Sequence, residues 1–391
     1  MTKFPRIRQK LKADVIGNRT IMKILIDAHC FDYKTTEGIN TYLKGLYGEL
    51  VKIATDIDFY FVAHNTDKIK TIFGEAANIH YVTLSSKNKI YRLLFEFPAI
   101  IKKYGIDAAH YQYTSPLIKN CKNIVTLHDI LFKDYPKMFP FSYRLIKGFL
   151  FKLSAKRADL LLTVSDYSRR QISKHYSIPI QDIVVTPNAV SEDFYNIDKN
   201  VAVEFVKKKG IEKYLLYVSR IEPRKNQLAV LKSYNQLKLW ERGYYMGFIG
   251  RKTLPTPEFD AYLDQMSETA RNNVVILNQV SYADLKLWYK AASLFVYPAL
   301  AEGFGIPPIE AGAASIPCIC SNKTAMGDFT FFGNNLIDPT DEENMRKEEL
   351  RLQQVQNENE QQRLSLYKQI HNTYNWNSIA LKFYENLKTR L

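Results

Sequence analysis

Two carboxylates define the chemistry this chain can attempt. Glu302 and Glu310, with seven residues between them, bracket the stretch Glu302-Gly303-Phe304-Gly305-Ile306-Pro307-Pro308-Ile309-Glu310. Leu294-Phe295-Val296 just before it reads as a buried parallel strand, and the paired prolines suit the first turn of a helix, where a missing N–H costs nothing. Gly303 and Gly305 leave backbone N–H groups open to close approach by a ligand. One acid in the loop and one in the first helical turn can hold two parts of a single extended polar molecule. The plainer reading, a helix-start acid serving the dipole beside a solvated loop acid, leaves the intervening glycines without a purpose.

Three further groupings could join that chemistry. Arg220-Ile221-Glu222-Pro223-Arg224-Lys225-Asn226 follows the apolar strand Tyr214–Ser219, and Arg220 and Lys225 put two cations beside a helix start. Such a pair can stabilise a departing diphosphate as charge develops on it; an exposed basic turn is the plainer alternative, and Glu222 and Arg224 receive no role. Ile124–Asp129 reads as a strand whose carboxyl end delivers His128 and Asp129 to the edge where open α/β sheets collect ligands. A histidine merely bonded to backbone is the alternative there. Gly38 opens a helix after the strand Met22–Asp27 and is a candidate backbone contact for phosphate. The string Asp56-Ile57-Asp58 could hold a divalent metal, but two acids at a strand entry are common, and no metal site is expected.

The Glu-Gly-Phe-Gly-x-Pro motif with its second glutamate, the Arg220–Lys225 turn and the connector Pro187-Asn188-Ala189-Val190 resemble those of retaining glycosyltransferases of family four, group 1, mannosyltransferase-like and of GT-B fold. The resemblance covers nearly the whole chain from Met22. It implies an α/β protein with two doubly wound, Rossmann-like domains facing a central cleft, moving a hexose from a nucleotide sugar, GDP-mannose or a UDP-sugar, to a glycan or lipid-linked acceptor in cell-surface polysaccharide or lipopolysaccharide assembly. The nucleotide sugar is a co-substrate, and no other cofactor is expected. On this resemblance Glu302 faces the transferred sugar, His128 is catalytic with Asp129 as its orienting neighbour, and Gly38, Arg220, Lys225, Gly303, Phe304, Gly305 and Glu310 bind the donor. The chain departs from the family pattern at Asn40-Thr41, where Gly-Arg is frequent, and at Ala189 and Ser315, which stand in glycine positions. The rival readings are a sugar-binding or regulatory module of the same fold without turnover, and a sugar phosphorylase, for which no pyridoxal-phosphate lysine motif is evident.

The elements that must position these residues follow from length and pattern. At 391 residues the chain exceeds one ordinary core and suits two domains. The boundaries expected are a basic arm over 1–20, an acceptor-side domain over 21–195, a nucleotide-sugar domain over 196–370 with the hinge near 190–212, and a C-terminal helix over 371–391 crossing back to the first domain. No apolar run approaches the roughly 20 residues needed to span a bilayer, and residues 1–20 lack a signal-peptide core, so a cytoplasmic protein is expected, peripheral at most on the inner face of the membrane. The four cysteines form no C-x-x-C pair and read as buried reduced thiols.

Net charge is +14, of which residues 1–195 carry +11. A basic first domain suits an acidic membrane surface or an anionic, lipid-linked acceptor. Nucleic acid is not expected, for no binding motif accompanies the charge. Between Lys137 and Arg157 phenylalanines alternate with lysines and arginines. That mixture fits either a membrane-surface helix or a core helix with a solvated basic face.

Overall fold

The computed structural model describes residues 21–33, 38–341 and 360–391. Short runs of β-branched, aromatic and leucine residues form thirteen strands among them, in two all-parallel sheets. The first contains β1 (Met22–Asp27), β2 (Ile57–Ala63), β3 (Ile79–Thr83), β4 (Ala108–Gln112), β5 (Lys122–Thr126), β6 (Leu160–Thr163) and β7 (Ile183–Val185), in the order β3-β2-β1-β4-β5-β6-β7. The second contains β8 (Lys213–Val218), β9 (Tyr244–Ile249), β10 (Val274–Leu277), β11 (Leu294–Tyr297), β12 (Cys318–Ser321) and β13 (Leu336–Ile337), in the order β10-β9-β8-β11-β12-β13. Parallel strands need crossovers and have helices on both faces, which is why β6, β11 and β12 are buried along their full length.

The helices that matter for the site are α1 (Gly38–Ile53), α2 (Phe97–Tyr104), α3 (Phe141–Arg157), α4 (Asp166–Tyr176), α5 (Lys199–Lys207), α6 (Gln227–Gln236), α7 (Tyr282–Ala291), α8 (Ile306–Ala313), α9 (Glu360–Thr373) and α10 (Trp376–Arg390). None of the described helices is long and apolar enough to cross a membrane. Each sheet reverses its winding once, between β1 and β4 and between β8 and β11. Ligands gather outside the carboxyl ends of strands at such reversals.

α5 packs on α7 and so belongs with the second sheet, which places the change of domain between β7 and α5. The chain then returns. α10 lies along α1, burying Ile379, Ala380, Phe383 and Leu387 at helical spacing. Trp376 occupies the space a side chain at Gly45 would need, and Tyr384 donates to Asp56 at 2.5 Å while Lys388 pairs with the same carboxylate. Asp56 is therefore a tether for α10, and Asp58 faces His80 at 3.6 Å, so the two acids do not converge on one point.

Several sequence expectations change in detail. The expected strand Ile124–Asp129 stops at Thr126, which puts His128 and Asp129 on the loop beyond it. β4 ends at Gln112, with His110 buried within the sheet. Cys318 and Cys320 are buried free thiols, whereas Cys30 and Cys121 are only partly buried. The basic arm expected over 1–20 lies outside the described residues.

Candidate active site

The loop after β8 and the loop after β11 fold onto each other. Leu300 N–H donates to the Arg224 carbonyl at 2.8 Å, and Asn226 holds the Pro298 and Pro339 carbonyls at 3.1 Å each. Asn226 itself adopts φ 61°, a left-handed conformation that asparagine tolerates better than most residues. This mutual bracing brings the two charged groupings together. Lys225 donates to the Glu302 carboxylate and to the Tyr297 hydroxyl, and Tyr297 also donates to Glu302 at 2.9 Å. Arg224 approaches the other Glu302 oxygen at 3.4 Å, donates to the Ala301 carbonyl at 3.0 Å and meets Glu222 at 3.1 Å. Glu222 in turn holds Arg220 at 3.2 Å and accepts from Thr253.

Buried charges persist only when paired and hydrogen-bonded. Burial alone would raise the Glu302 carboxyl, but Lys225 and Arg224 overcome it and hold the group down at about 2. Burial draws the Lys225 ammonium down to about 8, with Glu302 working the other way, so the lysine is still charged at neutral pH. Glu310 is the opposite case. Burial pushes its carboxyl up to about 7 despite a 2.8 Å hydrogen bond from Tyr289, and Asp193 adds to the rise.

Two glycines in the motif are sterically required. Gly305 caps α8 at φ 105°, a region closed to ordinary side chains. A Cβ on Gly303 would lie 2.7 Å from the Asp129 Cβ and 2.8 Å from its carboxylate. Gly303 is therefore where the second domain touches the first. Its carbonyl accepts from Ser165 Oγ at 2.7 Å, the same oxygen that caps α4 by accepting from Ser168 N–H. Asp328 continues the seam, taking Tyr167 N–H at 2.8 Å and Arg170 at 2.7 Å.

The facing wall, built at the ends of β4 and β5, carries beside the Asp129 carboxylate a chain of neutral side chains. His128 Nε2 bonds to Gln112 Oε1 at 2.7 Å. The Gln112 amide reaches His110 at 3.2 Å, and His110 is held by Tyr47 and Thr126 at 2.7 Å each. Burial lowers both imidazoles to about 3, so both are neutral at any ordinary pH. With Nε2–H spent on Gln112, His128 keeps a lone pair on Nδ1.

Most of the residues singled out from sequence thus converge, with corrections. Asp129 does not orient His128; its carboxylate accepts from Leu131 N–H at 3.2 Å and rests on Gly303, while Gln112 does the orienting. The Phe304 ring is packed edge-on against Phe329 and Tyr374, so the side chain anchors the loop from behind. Gly38 is the exposed first residue of α1, with open space where a side chain would be. Arg220 lies at the rim on Glu222. Sequence reasoning missed Arg224, Glu222, Tyr297, Tyr289 and Gln112. The alternation Arg-x-Glu-x-Arg-Lys after a buried strand was a usable signal for the first two. Gln112 gave none, since its partner lies sixteen residues further on in a neighbouring strand's loop.

Two parallel, doubly wound sheets facing each other across a charged and a largely neutral wall make up the fold of the GT-B glycosyltransferases. The chain belongs to that class by both halves: the family model for Glycosyltransferase Family 4 matches residues 36–194, and that for Glycosyl transferases group 1 matches residues 198–369. Among relatives, O-antigen chain mannosyltransferase RfbU of Salmonella typhimurium is 32% identical over 232 residues, 59% of this chain and 60% of that protein. The O-antigen chain mannosyltransferase B of Escherichia coli is 28% identical over 344 residues, 82% of this chain and 87% of that one. The chain therefore spans less than two thirds of the Salmonella relative. The fold is shared with the sucrose-phosphate synthase of Thermosynechococcus elongatus, with a TM-score of 0.76 and 18% identity over 94% of this chain and 98% of that one.

Proposed function

We propose that the protein transfers a hexose, with mannose the favoured candidate, from a nucleotide sugar to a glycan or lipid-linked acceptor with retention at the anomeric carbon and without a metal ion, at the cytoplasmic side of the membrane during O-antigen-type polysaccharide assembly. The carrying observation is the contact of Gly303 with Asp129. It sets the neighbouring residues, Glu302 and His128, on opposite walls of one cleft. Mannose as the sugar rests on the two mannosyltransferase relatives.

Donor binding then follows from the charged wall. The diphosphate lies toward Lys225 and Arg220, with the backbone N–H groups of Gly303 and Gly305 as neutral donors, and Glu310 takes the ribose hydroxyls once ionised. As the bond to the leaving phosphate stretches, Lys225 shares its protons between Glu302 and the developing oxyanion, so charge is stabilised where it appears. Arg224 keeps Glu302 ionised while Lys225 turns to the phosphate. On the other wall His128 offers a neutral Nδ1 to a hydroxyl of the sugar or acceptor, held in direction by Gln112. Because two cations and the loop N–H groups meet the leaving group, chelators should leave turnover unchanged.

The test is release of nucleoside diphosphate from GDP-mannose and UDP-hexoses in the presence of a saccharide acceptor, with and without EDTA. Abolition by EDTA with rescue by manganese would overturn metal independence; no release with any donor would favour a binding module.

A further inference from the structure

Where the first sheet reverses its winding, at the carboxyl ends of β1 and β4, three cations gather that the transfer site does not use. Asp27 ends β1 buried and holds His29 Nδ1 at 2.6 Å. Lys89 and Arg92 lie one helical turn apart on the same face of the chain entering α2, and both charges act on Asp27. From Arg92 to Glu96 that chain opens into a π turn, a geometry frequent at functional sites. Arg92 is 3% exposed, and its enclosed Nε finds no hydrogen-bond partner among the described residues. Lys147 of α3 comes within hydrogen-bond range of the Lys89 ammonium, which loss of water and then Lys147 and Arg92 draw down to about 8, with Asp27 opposing. Two ammonium groups in contact beside a buried guanidinium leave an excess of positive charge that a bound anion would satisfy.

An aromatic ledge joins these cations to the transfer site. Lys147 lies 5.9 Å from the Phe151 ring centroid, Phe151 stacks on Tyr113 at 4.7 Å, and the Tyr113 ring lies 5.4 Å from that of His128. Tyr113 is held there under strain. It adopts φ 63°, and Thr114 N–H donates across it to the Gln112 carbonyl at 2.8 Å, a γ-turn of the rare, strained kind. Strain of this sort persists at ligand clamps and active sites. We propose that Lys89, Arg92 and Lys147 bind a phosphate or diphosphate carried by the acceptor, with Tyr113 and Phe151 lining the path of its saccharide to His128. The guanidinium fork suits a pair of phosphate oxygens, and the lysines add point charges. This rests on the acceptor approaching the first domain's wall, as proposed above. The diphosphate of a lipid-linked saccharide and a phosphate on the saccharide itself offer the same chemistry.

The experiment is calorimetric titration of pyrophosphate into the full chain carrying Lys225→Ala, which removes the donor-side cation. Binding is expected, and adding Lys89→Gln with Lys147→Gln should weaken it at least about tenfold. Lys89 is exposed and Lys147 half-buried, so an unchanged melting temperature separates lost binding from lost fold. No binding to the Lys225→Ala protein, or equal binding after the glutamine substitutions, would overturn the proposal. An alkyl diphosphate glycoside and the same saccharide phosphorylated on a ring hydroxyl are then used to displace pyrophosphate. Displacement by the first assigns the site to a lipid-linked acceptor, by the second to a phosphorylated glycan, and by neither overturns it. In turnover, Lys89→Gln with Lys147→Gln in the otherwise native chain should raise KM about tenfold for the displacing acceptor and leave that for an uncharged alkyl glycoside within about twofold; an equal rise for both would overturn it too. Pyrophosphate binding that depends on the two lysines, in a protein that transfers from no donor, would refute the transfer reading and keep the anion site.

Discussion

The two walls of the cleft handle buried polar groups in opposite ways. On the second domain Glu222, Arg224, Lys225 and Glu302 form a paired network of full charges. On the first, Tyr47, His110, Gln112 and His128 form a chain of neutral hydrogen bonds. A buried ion pair is costly to desolvate and gains little stability over apolar packing, so the charged wall is best understood as a device for meeting a charged ligand. The neutral wall has the converse use. An imidazole held uncharged keeps a lone pair for a hydroxyl and does not compete with Lys225 for the diphosphate. On the proposed mechanism, charge is placed where the leaving group departs, and neutral groups where the acceptor arrives.

Removing a charge should have the largest effect. Lys225→Ala is expected to lower kcat/KM by roughly 2–4 kcal/mol, the usual loss for one electrostatic stabiliser, with far-UV circular dichroism unchanged. Activity within threefold of wild type would remove Lys225 from the mechanism. Next is the seam between the walls. Gly303→Ala forces a methyl into Asp129, and overpacking of this kind costs about 1–3 kcal/mol; a drop in melting temperature together with lost activity is expected, whereas Ala at Gly48, with open space around it, should change activity little.

On the neutral wall, Gln112→Leu leaves the His128 Nε2–H without its partner. A buried donor left unsatisfied costs about 1–3 kcal/mol, and the expected outcome is a kcat about tenfold lower with donor KM unchanged. A change in KM alone would move Gln112 to the donor side.

The smallest effect is one of pH. Glu310 is held up at about 7 by burial, so its ionised fraction grows between pH 6 and 8 and donor KM should fall several-fold over that range. Glu310→Gln should bind weakly and show no such slope. The same shift favours the protonated folded state, a contribution to stability present below the ordinary value of 4.5 and lost as pH rises through about 7.

The contrast also explains what could be read from the sequence. The parallel sheets were legible because strands buried on both faces read as continuous apolar runs, as at Leu160–Thr163 and Leu294–Tyr297. The Glu302 and Lys225 groupings were legible because each is compact in sequence. What stayed hidden was their pairing with each other, for residues 225 and 302 meet only when β8 and β11 become neighbours in the sheet. Asp129 was misassigned for the related reason that adjacency in sequence does not mean contact; a residue next to His128 points elsewhere, and one sixteen positions away in sequence holds it. The exposure of Phe141 and Phe149 was equally invisible, since the pattern of α3 fits a buried and an open face alike.

Titration of GDP and UDP into the protein and its variants, followed calorimetrically, tests the division between the walls most directly. The account predicts that one of the two nucleotides binds, that Lys225→Ala and Glu310→Gln each weaken it at least about tenfold, and that Gln112→Leu and His128→Ala leave it within about twofold. Binding that survives Lys225→Ala and fails with His128→Ala would contradict it.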